Sequence, residues 1–174
     1  MATSDLCEVL KRTRGESGRG LDAPTERRIC TAVLRLLHDK SNDVQAIAVK
    51  TLGVLLTTVQ EEQVLEIADS LADQVLDASK SELRDVYAIG LRTLVQTIPP
   101  RMGDPTSQRL VGRLLEGIRG NQEEIVLSCL DILTDLLGRF GATAVAMTRQ
   151  HEPILRMCLH QIHNAEACLL YTSD

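Results

Sequence analysis

The feature that most constrains the fold of this chain is a set of apolar positions that returns every 39 residues. The stretch NDVQAIAVKTLGVLL, residues 42–56, has one apolar face when it is drawn as an α-helix. Shifted by 39 residues, its apolar positions fall on apolar residues twice more, and a preceding stretch obeys the same offset. The aligned sets are Ile47/Val86/Ile125, Leu52/Leu91/Leu130, Leu55/Leu94/Leu133 and Val59/Ile98/Leu137 in the later stretch, and Ala32/Leu71/Leu110, Val33/Ala72/Val111, Leu36/Val75/Leu114 and Leu37/Leu76/Leu115 in the earlier one.

This period predicts an all-α fold, an α-solenoid of HEAT-type helix pairs, because two helices in about 39 residues lie at the short edge of the HEAT and armadillo range. One pair cannot bury its own apolar face, whereas stacked pairs can. Aromatic residues make up only 2% of the chain, so the core must be aliphatic, which favours helices over a β-sandwich. We expect a half repeat at 1–25, full repeats at 26–60, 61–105 and 106–149, and a half repeat at 150–167.

Helix-terminus signals support these pairs. Asp22 and Asp104 each precede an early proline, which predicts a helix N-cap at both positions. The prolines 99–100 predict the end of a helix at Ile98. Gly141 follows Phe140 and predicts a C-terminal glycine cap.

Bulk composition argues against several classes of protein. The net charge of -5 and the scarcity of aromatics do not favour nucleic-acid binding. No apolar run has the length of a membrane span, and the N-terminal stretch lacks the order of a signal peptide. The chain has five cysteines and no CxxC motif: Cys7, Cys30, Cys129, Cys158 and Cys168. Four of the five lie among apolar residues at helical spacing, which predicts reduced, buried thiols.

The sequence predicts no enzyme, no cofactor and no small-molecule substrate, because no nucleophile, phosphate-loop or dinucleotide motif is present. The set Cys158, His160, His163 and Cys168 matches no standard zinc spacing, so we predict no metal site there. His151-Glu152 could be one iron-binding dyad of a HEAT-like oxygenase, but those proteins repeat the dyad and this chain has it once.

The outward face of the second helices is polar, mixed in sign and different in each repeat. A solvated helix face looks the same, but solenoids generally use this concave face for partners. Candidate partner-binding residues on it are Lys50, Asp85, Arg92, Gln96, Asp131 and Asp135. Arg84 stands at a turn position where a structural ladder with Asp43 or Glu82 is the better interpretation. The basic segment 11–22 is interpreted as a solvated linker.

Four stretches resemble the N-terminal repeats of the cullin-associated neddylation-dissociated proteins: MATSDLCEVLK, NDVQAIAVKTLGVLL, LRDVYAIGLRTLVQTIPP and CLDILTDLLGRFG. The resemblance covers roughly residues 1–163. It implies a chain that begins inside a longer protein. The run CLLYTSD resembles translated adapter sequence, so residues 168–174 are expected to be non-native.

The resemblance also implies a function and partners. Members of that family are helical solenoids without enzymatic activity, and they wrap around unneddylated cullin–RING ligase scaffolds. Their N-terminal arch grips the cullin C-terminal region and the RING subunit, and the whole protein exchanges substrate-receptor modules. We therefore expect this chain to bind a cullin and its RING subunit in the cytoplasm and nucleus. Two alternatives stay open: a HEAT adaptor for another partner, as in nuclear transport or phosphatase scaffolds, and a HEAT-based metalloenzyme.

Overall fold

The computed structural model describes residues 22–79 and 81–148, with side chains up to residue 141, together with residues 152, 156, 159 and 160. The predicted half repeats at 1–25 and 150–167, the basic segment 11–22 and the tail 168–174 therefore lie largely or wholly outside the described residues. So do Cys158, His163 and Cys168 of the metal interpretation.

The described part of the chain is built from helices and contains no β-strand. The α-helices are α1 (Ala23–Leu36), α2 (Asn42–Leu55), α3 (Glu61–Leu76), α4 (Arg84–Thr97), α5 (Gly103–Arg119) and α6 (Glu123–Thr148). Short 3₁₀ turns, Ser81–Leu83 and Pro100–Met102, precede α4 and α5.

The helices pack in two layers. Within each pair, α1 contacts α2, α3 contacts α4 and α5 contacts α6. Between pairs, the first helices contact one another in the order α1, α3, α5, and the second helices in the order α2, α4, α6. This arrangement confirms the predicted all-α architecture of stacked helix pairs.

The apolar columns form one continuous core. Leu52 and Leu91 of one column, and Leu55 and Leu94 of another, are fully buried. Each such side chain stabilises the fold by roughly 1.5–3 kcal/mol relative to an exposed position. Ala32 departs from its column and is exposed, because among the described residues no helix covers that side of α1.

Helix starts follow the predictions in part. Asp22 is the N-cap of α1: its backbone is extended and its carboxylate accepts a hydrogen bond from the Thr25 N–H at 3.3 Å. That hydrogen bond lowers the pKa of Asp22. The prediction for Asp104 is wrong, because α5 begins at Gly103 with Met102 as its N-cap. The 3₁₀ turn runs directly into α5 there, so Asp104 lies in the first helical turn.

The helix end predicted at Phe140 is found, but the glycine cap predicted at Gly141 is not. The backbone of Phe140, with φ -126° and ψ 16°, breaks α6 into two helical stretches, of which the second runs to Thr148, and Gly141 is not left-handed. The Phe140 ring packs against the backbone of Gly103, where an added Cβ would lie 2.5 Å from the ring. The bend therefore accompanies the docking of a large side chain onto the start of α5, without a left-handed glycine.

A close helix contact occurs at Gly117 in α5. A Cβ atom at this position would lie 2.5 Å from Cys129 Sγ of α6 and 2.6 Å from a Leu76 methyl of α3. Both neighbours are packed in the core, so neither side chain can move away without cost. Gly112, one and a half turns earlier in α5, has no neighbouring atom within 4 Å of its added Cβ.

We predict that Gly117→Ala lowers the free energy of unfolding by about 1–3 kcal/mol, because it overpacks the contact between α3, α5 and α6. The matched variant Gly112→Ala should raise it by about 0.5–1 kcal/mol, because alanine is the better helix former and meets no obstacle. Urea unfolding followed by circular dichroism measures both. Equal effects of the two substitutions would contradict the close packing at Gly117.

Two cysteines, Cys30 in α1 and Cys129 in α6, are buried free thiols. Burial raises the pKa of the Cys30 thiol to about 11, with a further contribution from the Glu26 carboxylate. Burial likewise raises the pKa of the Cys129 thiol to about 11, and the nearby Arg84 opposes this shift. At neutral pH both side chains are therefore protonated apolar groups of the core.

These raised pKa values predict an alkaline loss of stability. The folded thiols hold their protons more tightly than the unfolded ones, so their contribution is fully present below the unfolded pKa, near 9. It is lost as the pH rises from about 9 to 11. Urea unfolding across this range should show a steeper loss in the chain than in a Cys30→Ala/Cys129→Ala variant, and parallel pH profiles would contradict the assignment.

Candidate protein-interaction surface

The second helices α2, α4 and α6 expose a continuous polar face, called here the second-helix surface. It carries all six predicted partner-binding residues. Lys50 lies on α2, whereas Asp85, Arg92 and Gln96 lie on α4 and Asp131 and Asp135 on α6. Lys50, Asp85, Gln96 and Asp131 are exposed, and Arg92 and Asp135 are partly buried.

Four of these residues meet in one cluster between α4 and α6. Arg92 Nε donates to Asp135 Oδ2 at 2.7 Å, and Gln96 Nε2 donates to the same oxygen at 3.0 Å. A second guanidinium nitrogen of Arg92 lies 3.8 Å from Asp131. The hydrogen bond that Arg92 donates to Asp135, together with the negative charge of Asp135, raises the pKa of Arg92 further. Arg92 and Asp135 therefore hold adjacent repeats together, in addition to facing solvent.

Lys50 and Asp85 stand apart from this cluster. Within the described ranges, neither side chain makes a hydrogen bond or an ion pair. Asp85 lies in the first turn of α4, where a carboxylate interacts favourably with the helix dipole. Both charges are consequently open to an incoming partner.

Arg84 has a structural role, but its predicted partners are wrong. Its NH1 donates to Glu124 of α6 at 2.5 Å, and neither Asp43 nor Glu82 pairs with it in the described structure. Arg84 is only 3% exposed, and its Nε has no partner in the described part of the chain. A buried cation with a single carboxylate partner depends strongly on that partner.

Several contacts between repeats were missing from the sequence-based interpretation. Arg139 of α6 donates to the carbonyls of Val95 and Ile98, both at 2.5 Å, and so satisfies acceptors at the C-terminal end of α4. In the first-helix layer, Arg27 pairs with Glu66 and Arg109 pairs with Asp69, both at 2.7 Å. For these two ion pairs, the signal in the sequence was opposite charge at an offset close to the repeat length.

Two large aliphatic side chains also lie on the second-helix surface. Ile89 of α4 is 52% exposed and Leu127 of α6 is 56% exposed. Ile89 lies 39 residues after Lys50, which is exposed on α2, so its exposure follows from the period. Leu127 does not belong to any column and was not anticipated.

An open groove lies on the other layer, against α1. It has a volume of about 420 Å³ and is lined by Arg27, Arg28, Thr31, Ala32 and Arg35. Thr31 donates its hydroxyl proton to the Arg27 carbonyl within the helix. The groove coincides with the side of α1 that no described helix covers.

Among the described residues, no group of three or more His, Cys, Asp or Glu side chains could hold a metal ion. The two described thiols are buried and protonated. No helix in the described part is long and apolar enough to cross a membrane. The second-helix surface offers charged side chains and exposed aliphatic side chains, which are suited to contact with another protein.

The buried Arg84 generates a prediction for Glu124→Ala. The substitution leaves the guanidinium without its carboxylate, so the free energy of unfolding should fall by about 1–2 kcal/mol, a range limited by the exposure of Glu124. The matched variant is Glu123→Ala, which removes a first-turn carboxylate with no ion-pair partner in the described structure. Its effect should stay within about 0.5 kcal/mol. Urea unfolding compares the two, and equal losses would contradict the role of Glu124.

No family model matches the chain. Individual proteins do match it. The cullin-associated NEDD8-dissociated protein 1 of Drosophila melanogaster is 36% identical over 165 residues, which cover 93% of this chain. The cullin-associated NEDD8-dissociated protein 2 of Rattus norvegicus is 38% identical over 148 residues, which cover 82% of this chain. The cullin-associated NEDD8-dissociated protein 1 of Arabidopsis thaliana is 33% identical over 164 residues, which cover 93% of this chain.

These matches occupy only 11% to 13% of the length of the relatives, so the chain corresponds to a small part of each. The similarity runs through most of the chain and joins proteins of an insect, a mammal and a plant. It agrees with the resemblance carried by the four sequence stretches and with the stacked helix pairs of the structure. The chain belongs to the family of cullin-associated NEDD8-dissociated proteins.

Proposed function

We propose that the chain is a non-catalytic, protein-binding part of a regulator of cullin–RING ubiquitin ligases. The observation that carries this proposal is the identity of 33% to 38% to proteins named as cullin-associated. The partner is the C-terminal region of a cullin without the NEDD8 modification, together with the RING subunit. By occupying that region, the whole protein would support the exchange of substrate-receptor modules.

The second-helix surface is the face we assign to this partner. Its helices are fixed relative to one another by inter-repeat contacts, so the surface is ordered before binding. A preformed surface avoids part of the entropic cost of association. Lys50, Asp85 and Asp131 present charges to solvent on this face, which suits a partner with a polar rim.

The test is a binding titration of the chain against a cullin C-terminal domain with its RING subunit, unmodified in one series and neddylated in the other. We expect binding to the unmodified form and a Kd at least tenfold higher for the neddylated form. Arg92→Glu should weaken binding at least tenfold, because it places a third carboxylate beside Asp131 and Asp135 and so breaks the contacts that order the assigned face. The control Arg27→Glu breaks a comparable exposed ion pair in the other layer and should leave Kd unchanged.

Circular dichroism must first show that every variant is folded. Absent binding, or equal binding to both cullin forms, would remove the cullin assignment and favour a HEAT adaptor for another client, which an unbiased pull-down would identify. Equal effects of Arg92→Glu and Arg27→Glu would retain the partner but reject the second-helix surface as its binding face.

A further inference from the structure

Ile89 and Leu127 occupy a defined position on the second-helix surface. Isolated exposed aliphatic residues are common and need no explanation. These two, however, are more than half exposed and lie on adjacent, contacting helices. They are called here the Ile89–Leu127 patch.

Two inter-repeat contacts bracket the patch. At one end, Arg84 of α4 pairs with Glu124 of α6, and at the other end, Arg92 lies against Asp131. Ile89 stands between Arg84 and Arg92 along α4, and Leu127 stands between Glu124 and Asp131 along α6. The two aliphatic side chains therefore share the interval between these contacts.

The patch is not a displaced part of the core. The opposite sides of the same helices are filled by buried residues, among them Leu91 and Leu94 on α4 and Cys129 and Ile132 on α6. Exposing Ile89 and Leu127 gains nothing for the packing of the chain, since apolar surface left in water costs free energy. A bound partner would remove that cost.

The charges around the patch are predominantly negative. Asp85 and Glu123 are exposed and make no ion pair within the described ranges. Asp131 is 68% exposed and has only a distant contact, 3.8 Å, with Arg92. The cations on α4 and α6 contribute little to the field over the patch, because Arg84 is buried against Glu124 and Arg92 is neutralised by Asp135. The exposed Lys50 of α2 is the one unpaired cation in the neighbouring described helix, against the three acids Asp85, Glu123 and Asp131.

Helix stability accounts for part of this charge distribution. Asp85, Glu123 and Glu124 lie in first turns, where acidic side chains are favourable. That explanation does not apply to Asp131, which lies in the middle of α6, and it does not place aliphatic side chains among the acids. The acidic side chains and the exposed aliphatic side chains together indicate which kind of ligand would fit this patch.

We propose that the Ile89–Leu127 patch anchors a lysine- or arginine-rich segment of the bound protein that inserts an apolar side chain between the two residues. This proposal rests on the proposed function in taking that segment to belong to the cullin–RING partner. A second copy of this chain is a poorer occupant, because its own net charge is -5 and its surface would repel the acidic frame.

Two double variants separate the apolar and the charged contributions in the cullin titration. Ile89→Ala/Leu127→Ala should raise Kd at least tenfold while the dependence of Kd on salt stays the same. Asp85→Lys/Glu123→Lys should raise Kd and flatten its salt dependence, because the attraction to a basic segment is lost. The control Glu61→Lys/Glu62→Lys makes the same charge change in the first turn of α3, in the other layer, and should match the unaltered chain.

If the unaltered chain binds the cullin and both patch variants bind equally well, the patch is rejected and the proposed function survives. If the unaltered chain binds no cullin, the proposed function fails, and a second measurement still tests the patch. For this, the chain with methyl-labelled isoleucine and leucine is titrated with a synthetic Lys/Leu helical peptide and with its Glu/Leu counterpart.

The expected result is a saturable shift of the Ile89 and Leu127 methyl signals with the Lys/Leu peptide and none with the Glu/Leu peptide. The shift should disappear in Asp85→Lys/Glu123→Lys. Methyl signals that do not shift with the Lys/Leu peptide, or that shift equally with both peptides, would overturn the proposal. Concentration-dependent shifts without peptide would instead show self-association through the patch and would also overturn it.

Discussion

The structure depends on the requirement that each helix bury one aliphatic stripe, which no helix pair can do alone. α3 contacts α1 on one side and α5 on the other, and α4 stands in the same way between α2 and α6. The core is therefore shared between repeats. At Gly117 of α5, for example, the size of the side chain is limited by neighbours on α3 and α6, which belong to two different repeats. Losing the contact between two repeats would expose aliphatic surface on both.

Polar contacts between neighbouring repeats accompany this apolar packing. They join residues about one repeat apart, as in Arg84–Glu124, Arg92–Asp135 and Arg109–Asp69. Exposed pairs of this kind contribute only about 0–1 kcal/mol each, so burial of the core dominates stability. Arg92, for example, reaches two acids one helical turn apart, Asp131 and Asp135. Arg84 differs because its guanidinium is buried and cannot turn to water.

The sequence was sufficient for the architecture because the period fixes which faces are apolar. Leu52, Leu91 and the other column members need only be aliphatic and correctly spaced to specify stacked pairs. It was insufficient where the outcome depends on three-dimensional reach. Asp43 or Glu82 was predicted as the partner of Arg84, whereas Arg84 pairs with Glu124 of the following repeat. Gly141 correctly marked a helix end at Phe140, but the sequence did not indicate that the Phe140 ring docks on Gly103 or that a second helical stretch follows to Thr148.

On the candidate surface, too, the sequence predicted which residues face outward but not which of them contact one another. All six predicted residues face outward, as helix geometry required, but Arg92, Gln96, Asp131 and Asp135 also contact one another across the repeat boundary. A substitution among these four changes both the array and its surface. Asp85 and Glu123, by contrast, lie on the same face without a partner in the described structure. Charges that support no neighbour can vary without loss of fold, so the recognition chemistry of this surface is best read from them and from the aliphatic side chains beside them.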